Sequence, residues 1–241
     1  MPQATEVDVR TSKEFLQWAA EHWAPGEHWA IVAPTGEGKT TFTGNLVKTR
    51  RYVLALDQKG GDKTLSMLKW NRITKWPPSR GDRKDMADGK AFRRLVGSEK
   101  RDQASRTLRR ELHRTILRAA MEEGGWTILA PDLAALTARQ FGNAWDEMVE
   151  LLILARDAGT SIVTDFQRPA GVPREASEMA TYLAIGYTRD TDTVSRLAEM
   201  MGRTSAEIRG AVHGLSQLPY GWLIVSRRPR DPIILTRPEK L

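Results

Sequence analysis

Cysteine is absent from the 241-residue chain, which excludes disulfide bonds and thiolate zinc sites. The four histidines, at positions 22, 28, 113 and 213, lack the spacing of metal ligands, and we expect each to be an ordinary surface or core residue. No apolar run approaches the roughly 20 residues that span a bilayer, and the N-terminus does not have the form of a signal peptide. These absences predict a soluble, cytoplasmic protein without a membrane span.

Length and charge set the next limits. A chain of 241 residues suits one α/β domain with a full core, in which we expect residues 1–27 to form a helical extension and residues 62–123 a basic helical insertion. Residues 79–118 contain 13 Lys or Arg against 6 Asp or Glu, a surplus equal to the net charge of +7 of the whole chain. A basic surface concentrated in this way suits a polyanionic partner.

Residues 28–43, HWAIVAPTGEGKTTFT, combine a short apolar run with a turn that contains glycine. The turn fits the pattern G-x-x-x-x-G-K-[S/T], with Ala33 in place of the first glycine. The apolar run predicts a buried parallel strand, and the residues from Gly38 onward predict a helix whose N–H groups face an anion. We interpret the segment as a nucleotide-binding P-loop, the alternative being an ordinary strand, turn and helix.

The residue types of the turn suit ATP and Mg²⁺. Lys39 supplies an ammonium group for the β- and γ-phosphates, and the Thr40 hydroxyl is a ligand for Mg²⁺. Glycine lets the backbone approach phosphate closely because it has no Cβ. The predicted nucleotide contacts are Thr35, Gly36, Glu37, Gly38, Lys39, Thr40 and Thr41.

Charged residues follow three predicted buried strands. Residues 52–56 lead into DQKGGD, residues 126–130 into Pro131-Asp132, and residues 161–164 into DFQRP. Such strand ends are where α/β sheets bind ligands, although a plain strand-end loop explains DQKGGD equally well. An acidic residue in the position of Asp132, after a buried strand downstream of a P-loop, holds Mg²⁺. Further strands are predicted at 181–187, 222–225 and 233–235, and the alternation with helices predicts a mostly parallel sheet covered on both faces.

Helical periodicity is strongest at residues 102–123. The predicted helix has one apolar stripe, Leu108, Leu112, Ile116 and Ala120, and a roughly opposite stripe of Arg106, Arg110, Arg114 and Arg118. The arginines either contact phosphate, on DNA or on a neighbour's nucleotide, or form a solvated face. Other helices are predicted at 11–23, where T-S-K-E has the spacing of a capping box, and at 39–50, 141–157, 191–201 and 205–213, while residues 1–10 are expected to be loose.

The order of these motifs resembles the FtsK/HerA family of P-loop DNA-translocating ATPases. The resemblance covers most of the chain from residue 28 and rests on APTGEGKT, on LDQKGGD and above all on ARDAGTSIVTDFQRP, which is similar to the family's A-R-x-x-G…A-T-Q-R-P segment. It implies a RecA-like core that assembles into a ring, commonly a hexamer, and moves double-stranded DNA through its centre. The chain lacks the membrane segments and winged-helix domain of the cell-division translocases, which favours a compact motor such as those of phages or mobile elements.

The resemblance also implies roles for individual residues. Lys39 and Thr40 would hold phosphate and Mg²⁺, and Gln167 would sense the γ-phosphate or the attacking water. Ring ATPases complete each site with an arginine from the next subunit, for which Arg156, Arg168 and Arg189 are candidates.

One departure from the family concerns the acidic pair. Where the family has Asp-Glu, this sequence reads Pro131-Asp132-Leu133, so that Asp132 takes either the place of the Mg²⁺ ligand or that of the base. Asp165 could supply the second carboxylate, because it ends a strand expected beside the one that carries Asp132. The alternative is that Asp165 caps the following loop or pairs with Arg168.

These observations lead to one main hypothesis, an ATP-hydrolysing double-stranded DNA translocase for transfer, packaging or segregation of DNA. A nucleotide-dependent DNA-binding scaffold that does not hydrolyse ATP is the first alternative. A motor for assembling protein filaments or pili is the second.

Overall fold

A computed structural model describes residues 7–138, 144–168, 174–228 and 231–237. Its strands are β1 (Val7–Arg10), β2 (Trp29–Val32), β3 (Tyr52–Leu56), β4 (Arg72–Ile73), β5 (Phe92–Val96), β6 (Thr127–Ala130), β7 (Ser161–Phe166), β8 (Tyr182–Gly186), β9 (Trp222–Ser226) and β10 (Ile233–Thr236). They form one ten-stranded sheet in the order β1-β10-β9-β8-β2-β7-β6-β3-β5-β4.

The helices are α1 (Ser12–His22), α2 (Lys39–Val47), α3 (Lys63–Ser66), α4 (Arg80–Ala87), α5 (Gln103–Glu123), α6 (Leu133–Thr137), α7 (Trp145–Leu154), α8 (Glu175–Glu178), α9 (Thr191–Met200) and α10 (Ser205–Gly214). A short 3₁₀ helix follows at Leu215–Gln217. Within the part of the chain that the structure describes, no helix combines the length and apolarity needed to cross a membrane.

Strand direction decides which loops meet. The strands from β8 through β2, β7, β6, β3 and β5 to β4 are parallel, whereas β9 is antiparallel to both β8 and β10. The C-terminal ends of the parallel strands therefore share one side of the sheet, called here the carboxyl edge. Because β9 runs the other way, the residues that enter β9 also lie at the carboxyl edge.

Helices cover both faces of the sheet, which confirms the predicted fold class. On one face, α1 and α2 pack on an aromatic core in which Trp29 stacks on Tyr182 and Phe42 on Trp222, with ring centroids 4.6 Å apart in both pairs. The other face is covered by α5, α7, α9 and α10 through mostly aliphatic side chains such as Ile116. Burial of both faces explains why the central strands are uniformly apolar in sequence.

Several local predictions are confirmed. The capping box begins α1, since the Thr11 hydroxyl accepts a hydrogen bond from the Glu14 N–H at 3.3 Å and the Glu14 carboxylate accepts one from the Thr11 N–H at 2.8 Å. The seven predicted strands are present; two keep their predicted bounds, and in the other five the bounds change by one or two residues. The helix predicted from residue 102 is α5, with Asp102 as its N-cap.

Other predictions differ from the structure. Of residues 1–10, expected to be loose, residues 7–10 form β1 and pair with β10, while residues 1–6 lie outside the described ranges. The supposedly helical segment 62–123 contributes β4 and β5 to the sheet. The strand β5, FRRLV, was not predicted because it contains two consecutive arginines. In the structure Arg94 pairs with Asp82 at 2.5 Å and lies over the Phe92 ring.

Two helices also differ in detail. Leu108, placed on the apolar stripe of α5, is 66% exposed. The helix predicted from residue 141 begins at Trp145, and residues 139–143 are outside the described part of the chain.

Candidate functional site

The P-loop segment forms a turn between β2 and α2 at the carboxyl edge. Gly38 is the N-cap of α2 and adopts the left-handed conformation, with φ of 78°, which other residue types rarely tolerate. Thr40 and Thr41 then occupy the first turn of α2, where backbone N–H groups have no partner within the helix. The turn therefore directs N–H groups and the positive end of a helix dipole at the carboxyl edge.

Lys39 lies across this turn. Its ammonium group donates hydrogen bonds to the carbonyl oxygens of Ala33 at 2.6 Å and Pro34 at 2.8 Å. Burial lowers the pKa of Lys39, and the nearby carboxylates of Asp165 and Asp132 oppose that shift. The lysine thus places a positive charge between the P-loop and two acidic residues.

Asp165 is the buried carboxyl group of the site. It lies within β7, paired with Ile31 of β2, and therefore faces the same side of the sheet as α2. The side chain is 4% exposed; Oδ1 accepts a hydrogen bond from the Asp132 N–H at 3.0 Å, whereas Oδ2 has no partner among the described residues. Burial raises the pKa of Asp165 to about 6. A buried oxygen without a protein partner is costly, and a water or a cation at this position would satisfy it.

Asp132 follows β6 and adopts a left-handed conformation with φ of 53°. Its carboxylate accepts a bond from the Lys59 ammonium at 2.7 Å, and this bond raises the pKa of Lys59. The next residue, Leu133, is fully buried in the core. The position that carries Glu in an Asp-Glu pair is therefore turned away from the site, if Asp132 corresponds to the Asp of that pair.

Lys59 belongs to the 57–62 loop, which follows β3 and is rigidly held. Asp57, fully buried, accepts hydrogen bonds from the N–H groups of Gly60 at 3.0 Å and Gly61 at 2.8 Å and pairs with Arg72 at 2.9 Å. These bonds fold the loop back on its own first residue and so position Lys59 beside Asp132.

Arg109 of α5 fixes the same loop from outside. Only 3% exposed, it donates to the carbonyl oxygens of Gln58 at 3.2 Å and of Ser98 and Lys100, both at 2.9 Å. Gly60 has φ of 72°, and a Cβ there would come within 2.7 Å of the Arg109 Nη1, so glycine is strongly favoured at this position. We did not identify Arg109 from the sequence, because nothing in the helical pattern separates it from neighbouring arginines.

The remaining predicted site residues are more scattered. Gln167 is exposed directly after β7, at the carboxyl edge. Arg168 is 3.9 Å from Asp190, so the alternative in which it pairs with Asp165 is wrong. Arg189 is exposed after β8 and donates to the Tyr187 hydroxyl at 3.2 Å.

Arg156 lies at the other end of the sheet. Its carbonyl oxygen would be 2.6 Å from a Cβ on Gly26, in the segment that enters β2. The structure therefore brings Lys39, Asp132 and Asp165 together and separates Arg156 from them within the chain.

The predicted basic stripe of α5 is partly used inside the chain. Arg114 and Arg118 donate to the same Glu147 oxygen on α7, at 2.6 and 2.9 Å. Arg106 donates to the Arg101 carbonyl oxygen at 2.9 Å and is exposed. The C-terminal half of this stripe is therefore tied to α7 through Glu147.

Comparison with solved structures identifies the fold. The chain is similar to the genome-packaging NTPase B204 of Sulfolobus turreted icosahedral virus 2, with a TM-score of 0.57 and 16% identity over 89% of this chain and 98% of that one. The present chain has a RecA-like P-loop fold. The bacterial conjugative coupling protein TrwB is also similar, with a TM-score of 0.59 and 13% identity over 95% of this chain and 91% of that one.

A third similar structure, VirB4 of Thermoanaerobacter pseudethanolicus, gives a TM-score of 0.57 and 10% identity, with 89% of each chain covered. No protein-family model matches the chain, and a search of curated proteins gave no match. At these identities the likeness shows a mixed α/β fold of the RecA-like P-loop type.

Proposed function

We propose that the chain is a single-domain ATPase that binds Mg²⁺-ATP at the P-loop and uses its hydrolysis to move double-stranded DNA. The observation that carries the proposal is the convergence of Lys39, Asp132 and Asp165 on the N-terminus of α2. The N–H groups and Lys39 suit a triphosphate, and the partnerless Asp165 oxygen suits a metal ion or a polarised water. The residues present thus fit the ligand that the motif predicts.

Separate residues of the chain would bind the phosphates and the metal ion. Residues 35–41, which include Lys39, would hold and orient the phosphates, and the Thr40 hydroxyl with Asp132 would hold Mg²⁺. Bound Mg²⁺ neutralises charge that develops on the phosphate oxygens. For Asp132 to meet the cation, the Lys59 ammonium has to leave the carboxylate that it contacts at 2.7 Å.

Asp165 takes the place of the absent glutamate in this proposal. With a pKa raised to about 6 by burial, it is ionised near pH 7 and yet basic enough to accept a proton from the attacking water. Gln167, two residues after Asp165 at the carboxyl edge, would orient that water. The carboxylate pair is therefore shared between the ends of two neighbouring strands, β6 and β7.

Two observations support DNA as the partner: the structural neighbours and the basic segment 79–118. B204 is described as a genome-packaging NTPase and TrwB as a conjugative coupling protein, which supports an FtsK/HerA-like motor in DNA transfer or packaging. We propose a cytoplasmic hexameric ring in which the N-terminal part of α5, whose arginines do not pair with Glu147, faces DNA phosphates. Arg156, Arg168 or Arg189 of one subunit completes the next subunit's site.

One observation favours the scaffold alternative. The Lys59–Asp132 pair neutralises the carboxylate assigned to Mg²⁺, and a chain in which this pair persists with ATP bound would bind nucleotide without hydrolysing it. The filament-motor alternative has no comparable support from the geometry of the site.

The decisive experiment measures ATP binding and ATP turnover with and without double-stranded DNA. We expect DNA to stimulate turnover by the parent, Lys39→Ala to abolish nucleotide binding, and Asp132→Asn and Asp165→Asn each to abolish turnover while the fold is kept. Asp146→Asn, an exposed acidic residue of α7, is the matched control and should behave as the parent.

Each failure has a separate meaning. Unchanged ATP affinity in Lys39→Ala contradicts the P-loop assignment. Parental turnover in Asp165→Asn contradicts the shared carboxylate pair. A parent that binds ATP and DNA but shows no turnover supports the scaffold.

A further inference from the structure

Tyr220 stands in a strained turn that leads into β9. The Leu218 carbonyl oxygen accepts a hydrogen bond from the Gly221 N–H at 2.8 Å, which closes a four-residue turn with Pro219 in its second position. Tyr220, in the third position, has φ of 60°. A turn of this kind, with Pro second and a positive φ third, prefers glycine in the third position. The chain therefore maintains a tyrosine where the backbone favours a residue without a side chain.

The ring of this tyrosine lies against the P-loop. Because β9 is antiparallel to its neighbours, the turn that enters it lies at the carboxyl edge. A Cβ built on Gly38 would be 3.4 Å from the Tyr220 Cδ1, so the ring is in contact distance of the glycine that begins α2. Despite this contact the residue is 52% exposed, which is unusual for a large aromatic side chain and leaves much of its surface open to a ligand.

Sheet order places Tyr220 on a defined side of the P-loop. β2 has β7, with Asp165, on one side, and β8 followed by β9 on the other. In the proposed function the metal and the γ-phosphate lie toward Asp132 and Asp165. A nucleotide whose phosphates cross the N-terminus of α2 in that direction has its nucleoside on the β8 and β9 side, where Tyr220 is.

We infer that the Tyr220 ring forms a stacking surface for the base of a bound nucleoside triphosphate, an inference that rests on the proposed function and assigns the nucleoside end of the same site. Backbone strain of this kind persists where the surrounding structure maintains it, and it concentrates at ligand sites. Stacking on an aromatic ring accepts any base, because every base has a π-face, and purines offer the larger face. The site then binds purine nucleotides more tightly than pyrimidine nucleotides.

The experiment compares the Mg²⁺ complexes of ATP and of inorganic tripolyphosphate by calorimetry. The triphosphate chain is common to both, and only ATP has a base. We expect Tyr220→Ala and Tyr220→Gly to weaken ATP binding about tenfold and to leave tripolyphosphate binding unchanged. Tyr220→Phe should bind ATP as the parent does, because it keeps the ring and loses only the hydroxyl.

Two design features keep the test clear. Tyr220→Gly relieves the positive φ, so it should melt at the parent's temperature or above, and a loss of ATP affinity in it cannot come from a damaged fold. The affinity ratio of ATP to CTP should fall toward one in Tyr220→Ala, as expected if the ring provides the preference for purines.

The outcomes separate this inference from the proposed function. If Lys39→Ala binds ATP and tripolyphosphate as the parent does, the P-loop proposal fails. If Lys39→Ala loses both but Tyr220→Ala and Tyr220→Gly keep parental ATP affinity, only the stacking surface is wrong. Equal losses of ATP and tripolyphosphate in the Tyr220 variants would also overturn it, since the ring would then act by shaping the P-loop.

Discussion

Asp57 and Asp165 are two buried aspartates at the same edge of one sheet, and their surroundings are opposite. Both are less than 5% exposed, at 0% and 4%, and both lie at the C-terminal ends of parallel strands. Asp57 accepts three backbone N–H groups of its own loop and pairs with an arginine, whereas Asp165 accepts one N–H and keeps one oxygen without a partner in the described structure. A saturated carboxylate holds a loop in place; an unsaturated one remains available for chemistry.

The largest loss of stability is expected on substitution of Asp57, the aspartate whose carboxylate has all its hydrogen-bond partners. Asp57→Ala removes the buried carboxylate that pairs with Arg72, a residue whose side chain is only 15% exposed, and releases three loop N–H groups. We expect the free energy of unfolding to fall by about 3–5 kcal/mol, as when one partner of a buried ion pair is removed. Urea denaturation checks this, with the exposed Asp146→Ala as control. A loss no larger than the control's would mean that Asp57 is not structural.

The next largest effect is the dependence of stability on pH that Asp165 causes. Since the pKa of Asp165 is raised to about 6 in the folded state, from 3.8, the folded protein keeps a proton between about pH 4 and 6 that the unfolded chain has lost. The free energy of unfolding therefore falls as pH rises through this window. Asp165→Asn removes this dependence, so relative to the parent it should gain about 3 kcal/mol between pH 4 and 7.

The measurement is urea denaturation at several pH values. His28 and His113, whose pKa values burial lowers to about 4, change stability in the opposite direction as pH falls, but they are present in both proteins. The difference between the two curves consequently isolates Asp165. Parallel curves would show that Asp165 titrates normally.

A smaller effect on stability is expected at Arg109 of α5, which holds the same 57–62 loop as Asp57. Arg109→Met keeps most of the buried aliphatic chain but leaves three carbonyl oxygens, of Gln58, Ser98 and Lys100, without their donor. We expect a loss of about 2 kcal/mol in unfolding free energy. Arg196→Met, at an exposed position of α9, is the matched control and should change stability by less than about 0.5 kcal/mol. Equal values for the two variants would show that Arg109 does not hold the loop.

The smallest expected effect leaves the fold unchanged and concerns salt. If the proposed DNA contact is right, Arg106→Gln with Arg110→Gln should lower the slope of log K against log salt by about two units. Arg118→Gln should change it little, because that guanidinium is paired with Glu147. The measurement is a salt titration of binding to a duplex. Unaltered slopes in the double variant would remove α5 from the DNA surface.

Parts of the fold and of the candidate site can be predicted from the sequence. The P-loop, the acidic strand ends and the apolar strands were predictable because each depends on residues close together in the chain. That Asp165 lies beside Asp132 followed from the expected neighbourhood of their strands. The sequence did not indicate which of the two aspartates has all its hydrogen-bond partners. The donors to Asp57 include Arg72, which lies fifteen positions away on a strand that was not predicted.

The elements that were missed share a physical cause. β5 contains two consecutive arginines, and only contacts such as that of Arg94 with Asp82 make them compatible with a strand. Arg109 is buried because Gly60 and Gly97 leave room for its side chain, and neither glycine is near it in sequence. Tyr220 was passed over because a positive φ at a tyrosine has no sequence pattern.

The anchoring of the 57–62 loop by Asp57 and Arg109 has a consequence for hydrogen exchange. Exposed loops usually open with almost no free-energy cost, and their amides exchange quickly. The N–H groups of Gly60 and Gly61, however, are bonded to a carboxylate that is 0% exposed. Their exchange requires breaking contacts that also hold α5 and β4, so these two loop amides should be protected to the same degree as the strands they join.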